Sequence, residues 1–282
     1  MLLPSVEFNH CIAQLNLDNK TYYLELTDNK LPFGAALTID LKSEILPIPF
    51  ASEKYGDKLL SMEMPFRLKN SINRHHNITL ANNDLLISRS NTYVAEMAAS
   101  LRETYRDIGS EEQLKQMNQG VASDFNVPIK VIDLKFQNLE NLQDSLKIDY
   151  KVEVKNILQI VAGMKILNLP WTEKISSLEV VTAESRKYPI ELWSYMREDI
   201  DNEEMVINLP TGKKFVELPV DAGFECANAS YKLTFDTRNP SKIIAKRVLI
   251  RKTEQVSPAE YIAFREFINR VSESDNKQYA IK

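Results

Sequence analysis

Phe8-Asn9-His10-Cys11-Ile12-Ala13-Gln14-Leu15-Asn16-Leu17, the turn Asp18-Asn19, and Lys20-Thr21-Tyr22-Tyr23-Leu24-Glu25-Leu26-Thr27-Asp28 form the stretch from which this chain is best read. Apolar and polar residues alternate on both sides of a two-residue polar turn, which predicts a β-hairpin. Pairing residues whose numbers sum to 37 sets Cys11, Ala13 and Leu15 against Leu26, Leu24 and Tyr22, an all-apolar side. The other side then carries His10, Ile12 and Gln14 against Thr27, Glu25 and Tyr23. A slip of one residue would set Leu24 against Gln14 and Leu26 against Ile12, mixing polar with apolar, because a slip turns every side chain over. The favoured register puts Glu25 diagonally across from His10 on the polar side, within reach of long side chains. It sends Asp28 to the other face.

An imidazole oriented by a carboxylate is two-thirds of a Cys–His–acid triad, since the carboxylate fixes the tautomer and stabilises the imidazolium. The third member is a nucleophile. Cys11 does not supply it, because neighbouring strand residues point to opposite faces. Cys226, the only other cysteine, falls in an expected loop (Gly223-Phe224-Glu225-Cys226-Ala227-Asn228) with no sequence link to His10. A reactive thiolate is usually helped by a helix N-terminus or a nearby cation, and neither cysteine opens an expected helix. By residue type alone, a strand histidine beside a glutamate is more often an ordinary polar surface pair.

Phe8-Asn9-His10, the alternating strand, Leu17-Asp18-Asn19-Lys20, the segment from Tyr22 to Asp28 and Leu31-Pro32-Phe33-Gly34 together resemble the end of a transglutaminase-like domain. The relatives in question are bacterial envelope proteins in which a papain-like core carries long β-rich flanks. The resemblance implies that His10 matches the family's catalytic histidine. The catalytic aspartate falls at position 25, which is Glu25 here, and the proline that follows it is Leu26. The family's cysteine would lie upstream of residue 1. Arg186-Lys187-Tyr188-Pro189-Ile190, Ile207-Asn208-Leu209-Pro210, Phe215-Val216-Glu217-Leu218-Pro219 and the ending from Ser257 to Phe267 are similar to that family's post-catalytic domain, whose function is not established. With the hairpin these cover most of the chain, residues 52–125 being least distinctive. The resemblance implies a periplasmic or extracellular setting and no metal or organic cofactor. The N-terminal remainder of the parent protein would be the partner.

A chain of 282 residues suggests two or three domains. Its apolar and charged fractions, 44% and 26%, are ordinary for a folded protein, so disorder is not expected. Net charge of −4, with Lys and Arg scattered among Asp and Glu, argues against a nucleic-acid partner. No stretch is apolar for the length of a membrane span, and residues 1–4 lack the regions of a signal peptide. Two cysteines in unlike contexts make no disulfide framework. With seven glycines and no P-loop or dinucleotide motif, a phosphate-cradling loop is not expected.

Along the chain, residues 36–41 fit a short strand, and Pro47 and Pro49 suit a connection. Residues 61–69 and 78–80 alternate, and a turn at Asn82-Asn83-Asp84 leads into a strand over 85–90. From Thr92 the stripe Val94, Met97, Ala98, Leu101, Tyr105 predicts a helix ending near Gly109. Ser110 with Gln113 is a capping box opening a second helix, which fades before Pro128. His75 and His76 fall between these strands without acidic or cysteine neighbours at metal-ligand spacing, so they read as solvent-exposed loop histidines rather than ligands. Strands are expected over 129–136, 146–154, 157–167, 177–183, 189–195, 204–209, 214–218, 229–235 and 241–252, with turns about every ten residues as in a β-sandwich. Ser257-Pro258-Ala259-Glu260 then caps a helix with Tyr261, Phe264, Phe267, Ile268 and Val271 as its apolar stripe. Residues 278–281 close as a last strand.

The fold class expected is α+β, mainly β. It divides into a transglutaminase-like hairpin remnant over residues 1–50, an α+β middle over 51–125, and an antiparallel β-sandwich with one long helix over 126–282. Trp171 and Trp193 could stack on sugars, but packing between sheets is the ordinary role of such residues. Arg186, Lys187 and Tyr188 fit either a ligand contact or a charged strand edge. Two functions are therefore carried forward. One is an accessory region of a cysteine acyltransferase or protease, holding His10 and Glu25 without a nucleophile and so inactive alone. The alternative is a binding or adhesion module for a glycan or protein.

Overall fold

A computed structural model describes residues 8, 10–41, 43–48, 58–174, 181–239 and 241–282. The hairpin forms in the expected register: β1 (Ala13–Leu17) runs antiparallel to β2 (Lys20–Leu24), from Ala13 opposite Leu24 to Leu17 opposite Lys20. Asp18 and Asn19 both take positive φ, 49° and 59°, the conformation of a two-residue turn that matches strand twist and that Asx residues tolerate. A short pair follows, β3 (Glu44–Ile45) with β4 (Leu60–Ser61). The strand expected over 61–69 reaches no further than Ser61, because Pro65 lacks the N–H a ladder needs and lies within a turn closed by the Arg67 N–H on the Met64 carbonyl (3.3 Å).

Next come β5 (Ser71–Ala81) and β6 (Asp84–Val94), then α1 (Glu96–Tyr105) and α2 (Ser110–Ala122). The β6 strand runs past the expected start of the helix at Thr92, since β5 and β8 pair with it through Tyr93 and override the local stripe. The Ser110–Gln113 capping box does not form. Gly109 is the N-cap, and the Gln113 amide donates to the Tyr105 carbonyl (2.8 Å). The later strands are β7 (Ile129–Gln137), β8 (Leu146–Val154), β9 (Gln159–Val161), β10 (Met164–Asn168), β11 (Ile190–Glu191), β12 (Ile200–Asn208), β13 (Ala222–Glu225), β14 (Ala229–Asn239), β15 (Lys242–Arg251) and β16 (Gln255–Val256). Helix α3 (Tyr261–Asp275) and β17 (Gln278–Ile281) end the chain. Residues 214–218 contribute one bridge, Phe215 to Ile281, rather than a strand. Of the strand expected over 177–183, residues 177–180 lie outside the described residues, and no strand covers 181–183.

The α+β, mainly-β class is the class observed, and its centre is one sheet ordered β13-β14-β15-β12-β5-β6-β8-β7. Neighbours are antiparallel except β12 and β5, which run parallel, Ile200 beside Ser71 through Asn208 beside Thr79. One sheet thus takes strands from both sides of residue 125, so the expected middle and C-terminal regions share a core. A smaller sheet, β17-β10-β9, adds Leu167, Tyr279 and Ile281 to that core.

Alternation decides which face is covered. Ile72, Arg74, His76, Ile78 and Leu80 of β5 are buried, as are Leu85, Ile87, Arg89 and Asn91 of β6 and Asp201, Glu203, Met205 and Ile207 of β12. Helix α3 supplies Tyr261, Phe264, Phe267, Ile268 and Val271 to the same core, all buried, each worth roughly 1.5–3 kcal/mol. Its approach is fixed by Ser257 and Glu260: the Glu260 carboxylate accepts from Ser257 N (3.0 Å) and Oγ (2.7 Å), one turn ahead of the helix. On the opposite face Asn202 donates to Asn73 (2.9 Å) and Asn208 to Asn77 (2.6 Å), both across the parallel pair. Among the described residues, no helix is long and apolar enough to cross a membrane.

Candidate active site at the hairpin

His10 and Glu25 lie just beyond the ends of β1 and β2, where the sum-37 register leaves them diagonal to one another. The His10 Nε2 and Glu25 Oε2 atoms are hydrogen-bonded. The other carboxylate oxygen, Oε1, accepts from the Thr27 backbone N–H (2.7 Å) and the Thr27 hydroxyl (2.5 Å). Glu25 is therefore clamped at both oxygens, and its side chain is 2% exposed against 36% for His10. A fixed acid beneath a reachable ring is the arrangement that sets a tautomer: with Nε2 held, Nδ1 is the nitrogen positioned to exchange a proton with an incoming group.

The electrostatics follow from these contacts. The Glu25 hydrogen bond raises the imidazole above its ordinary value, helped by the charges of Glu25 and Asp40 and opposed by desolvation. Burial pushes Glu25 upward, but the bonds from Thr27 and His10 outweigh it and hold the carboxyl below the usual range. Asp40, from the 3-10 turn Thr38–Asp40, is the third group, and the sequence offered no sign of it. Its carboxylate lies within 4.8 Å of the His10 and Glu25 donor atoms. Burial first, then the Glu25 charge, raises it.

A nitrogen and two carboxylates this close invite comparison with a metal site. The fit is poor, because Glu25 Oε2 is committed to His10 and Oε1 to Thr27, so a cation would have to displace both. Asp28 serves local structure, accepting from the Lys30 N–H at 2.8 Å. Both cysteines are free thiols. Cys11 is exposed, while Cys226 sits in the turn between β13 and β14 with its sulfur 3.6 Å from the Ala229 carbonyl. Among the described residues, no hydrogen bond joins either sulfur to His10.

The two other histidines are not in a loop, as the sequence suggested, but inside β5. His75 is exposed and His76 is sealed, its Nδ1 3.4 Å from Glu203 Oε1 with both side chains at 0% exposure. Cross-strand pairing puts His76 opposite Arg89 and Arg74 opposite Asn91 on one buried face. Next to them Arg247 bonds Glu203 (2.6 Å), Asp275 of α3 (2.8 Å) and the Thr172 carbonyl (2.8 Å). Desolvation, then the Arg89 and Arg74 charges, drives His76 well below its ordinary value, so it stays neutral. Trp171 packs in this core with Arg247 5.0 Å from its ring centre, and Trp193 Nε1 donates to Glu191 (3.1 Å). Arg186 lies 5.7 Å from the Tyr261 ring centre, while Tyr188 is exposed.

Residues 163–281 match the family model described as "Domain of Unknown Function with solved-structure structure (DUF3858)". The match runs from the β9–β10 turn to β17 and leaves the hairpin outside it. Among solved structures, the chain is similar to a "putative protease" from Parabacteroides distasonis ATCC 8503, with 18% identity and a TM-score of 0.36. That likeness covers 44% of this chain and 24% of the other, so the chain spans about a quarter of that protein's length. No curated protein matches.

Proposed function

We propose that the hairpin is the His–acid half of a Cys–His–acid acyl-transfer site, in the transglutaminase-like manner, and that the large sheet with α3 is an accessory region beside it. The observation that carries this reading is Glu25, clamped by Thr27 and bonded to Nε2 of a ring that remains reachable. In such a site the thiol proton passes to His10 Nδ1 and the thiolate adds to an amide carbonyl. The imidazolium returns the proton to the departing amine, leaving a thioester, which water or a second amine then cleaves. Glu25 steadies the imidazolium throughout, and its extra methylene relative to aspartate is taken up by the diagonal placement.

The nucleophile in this reading belongs to the N-terminal remainder of the parent protein. A second observation supports such a partner. Among the described residues, eleven of the twenty-one exposed large apolar side chains lie in residues 8–68, including Leu15, Leu17, Leu26 and Phe33. An apolar hairpin face left open is the kind of surface that another part of a core covers.

The test is activity of the parent reading frame, extended upstream of Met1. Amine incorporation into casein, or peptide hydrolysis, that is lost in His10→Ala and strongly reduced in Glu25→Gln supports the proposal. Full activity in both variants refutes it and leaves the sheet as a binding module. The 282-residue chain alone is expected to be inactive. Turnover by it that vanishes in Cys226→Ala would put the nucleophile inside the chain and overturn the assignment.

A further inference from the structure

We infer that Asp40 is a positioning residue of the same site: a second carboxylate that stabilises the His10 imidazolium, carried to the ring by a turn anchored on the large sheet through Glu96. The inference rests on the reading of His10 and Glu25 given above and adds to it a role for the accessory region.

The anchoring is explicit. Asp40 ends the 3-10 turn Thr38–Asp40, and the Thr38 backbone N–H donates to Glu96 Oε2 (2.9 Å). The same oxygen accepts from Asn70 Nδ2 (3.1 Å), whose own Oδ1 accepts from the Glu96 N–H (3.1 Å). Arg197 Nη2 donates to the other oxygen, Oε1, at 2.7 Å. Asn70 in turn is fixed to the sheet, its carbonyl accepting from Asp199 N (2.8 Å) and Ile200 N (3.2 Å) at the start of β12. Thr38, Asn70 and Glu96 are all buried. The turn is thus bolted to the large sheet at the point where β5 and β12 begin and α1 starts.

What the bolt presents to the hairpin is a negative charge. The groups that face His10 are Glu25 from the end of β2 and Asp40 from this turn, with Glu96 behind Asp40. Placing one carboxylate beside two others, partly out of water, is unfavourable on its own, and burial and Glu25 accordingly raise the Asp40 carboxyl. The cation that offsets this is the imidazolium. In acyl transfer through a thiolate that cation forms at every turnover, so a fixed carboxylate within 4.8 Å favours the charged pair over the neutral one. Glu25 orients the ring by a direct bond, whereas Asp40 acts through space.

The experiment is an imidazole NMR titration of the 282-residue chain in wild type, Asp40→Asn, Asp40→Glu and Glu25→Gln, with folding checked by circular dichroism. Asp40→Asn is expected to lower the His10 pKa by about half a unit. Asp40→Glu, which keeps the charge, should restore most of it, and Glu25→Gln should lower it further than Asp40→Asn. A His10 pKa unmoved by Asp40→Asn but lowered by Glu25→Gln overturns the role of Asp40 alone. A pKa unmoved by both removes the functional reading on which it rests. A purely structural Asp40 would alter the melt of Asp40→Asn and leave the His10 titration where it was.

Discussion

His10 and His76 each sit beside a glutamate, Glu25 and Glu203, yet their surroundings give them opposite chemistry. At the hairpin the acid is covered and the ring is reachable, so the pair favours the imidazolium. Inside the sheet both side chains are sealed, Glu203 accepting from the Thr172 N–H (2.9 Å) and Arg247 (2.6 Å), and beside Arg89 and Arg74 the imidazole is kept neutral. A histidine–carboxylate pair is therefore a candidate for chemistry through the access and charge around it, not through its residue types. The sealed pair belongs to a structural network with Arg74, Asp201, Arg247 and Asp275, where every charge needs its neighbour.

The largest expected effect comes from opening the sealed region. Deleting residues 257–282 removes seven buried apolar side chains, five on α3 with Tyr279 and Ile281 of β17, and Asp275, a loss that rivals the roughly 5–15 kcal/mol stability of a typical domain. The truncated chain should show no cooperative thermal transition, and an unchanged melt would show that α3 is dispensable.

Next, Arg247→Ala leaves Glu203 and Asp275 buried without their cation, and should cost about 3–5 kcal/mol in urea unfolding. His10→Ala, by contrast, should change stability by no more than about 1 kcal/mol. Equal losses in the two variants would break the distinction between the regions.

Much of the hairpin is legible in the amino-acid sequence. Alternation around Asp18-Asn19 admits one register that keeps Leu24 and Leu26 off the polar side, and that register alone brings Glu25 to His10. The sealed network is not legible there, because Arg74, His75 and His76 read locally as polar loop. Only pairing with β6 and β12, the latter more than a hundred residues away, turns Arg74 and His76 inward. The alternation over 61–69 misleads for a different reason, since Pro65 interrupts a pattern that side chains alone would support. Asp40 leaves no trace in the sequence, being placed by Thr38 and Glu96, 58 residues apart.

Smaller effects separate the histidines by pH. The folded-state pKa of His76 lies below its unfolded value of about 6.5. The unfolded chain therefore binds the extra proton, and stability contributed by a neutral His76 is lost as pH falls below that value. Replacing it in His76→Gln should flatten the acid side of the stability profile relative to wild type. His10 runs the other way: with a raised folded pKa, its contribution is complete below about pH 6.5 and fades as pH rises through the folded value. Because solvent reaches the His10 ring and a glutamine oxygen can still accept from Thr27, the smallest effect expected is on the melt of Glu25→Gln, within about 1 kcal/mol of wild type.

The most direct test of the account is a proton-by-proton titration of the His10 and His76 imidazoles in the wild-type chain, followed by nitrogen-15 NMR. Two separate curves are predicted, His10 with its midpoint above about 6.5 and His76 remaining neutral well below it. Coincident curves near the ordinary value, or a His76 that protonates before His10 as pH is lowered, would contradict the claim that the hairpin holds an activated imidazole and the sheet a structural one.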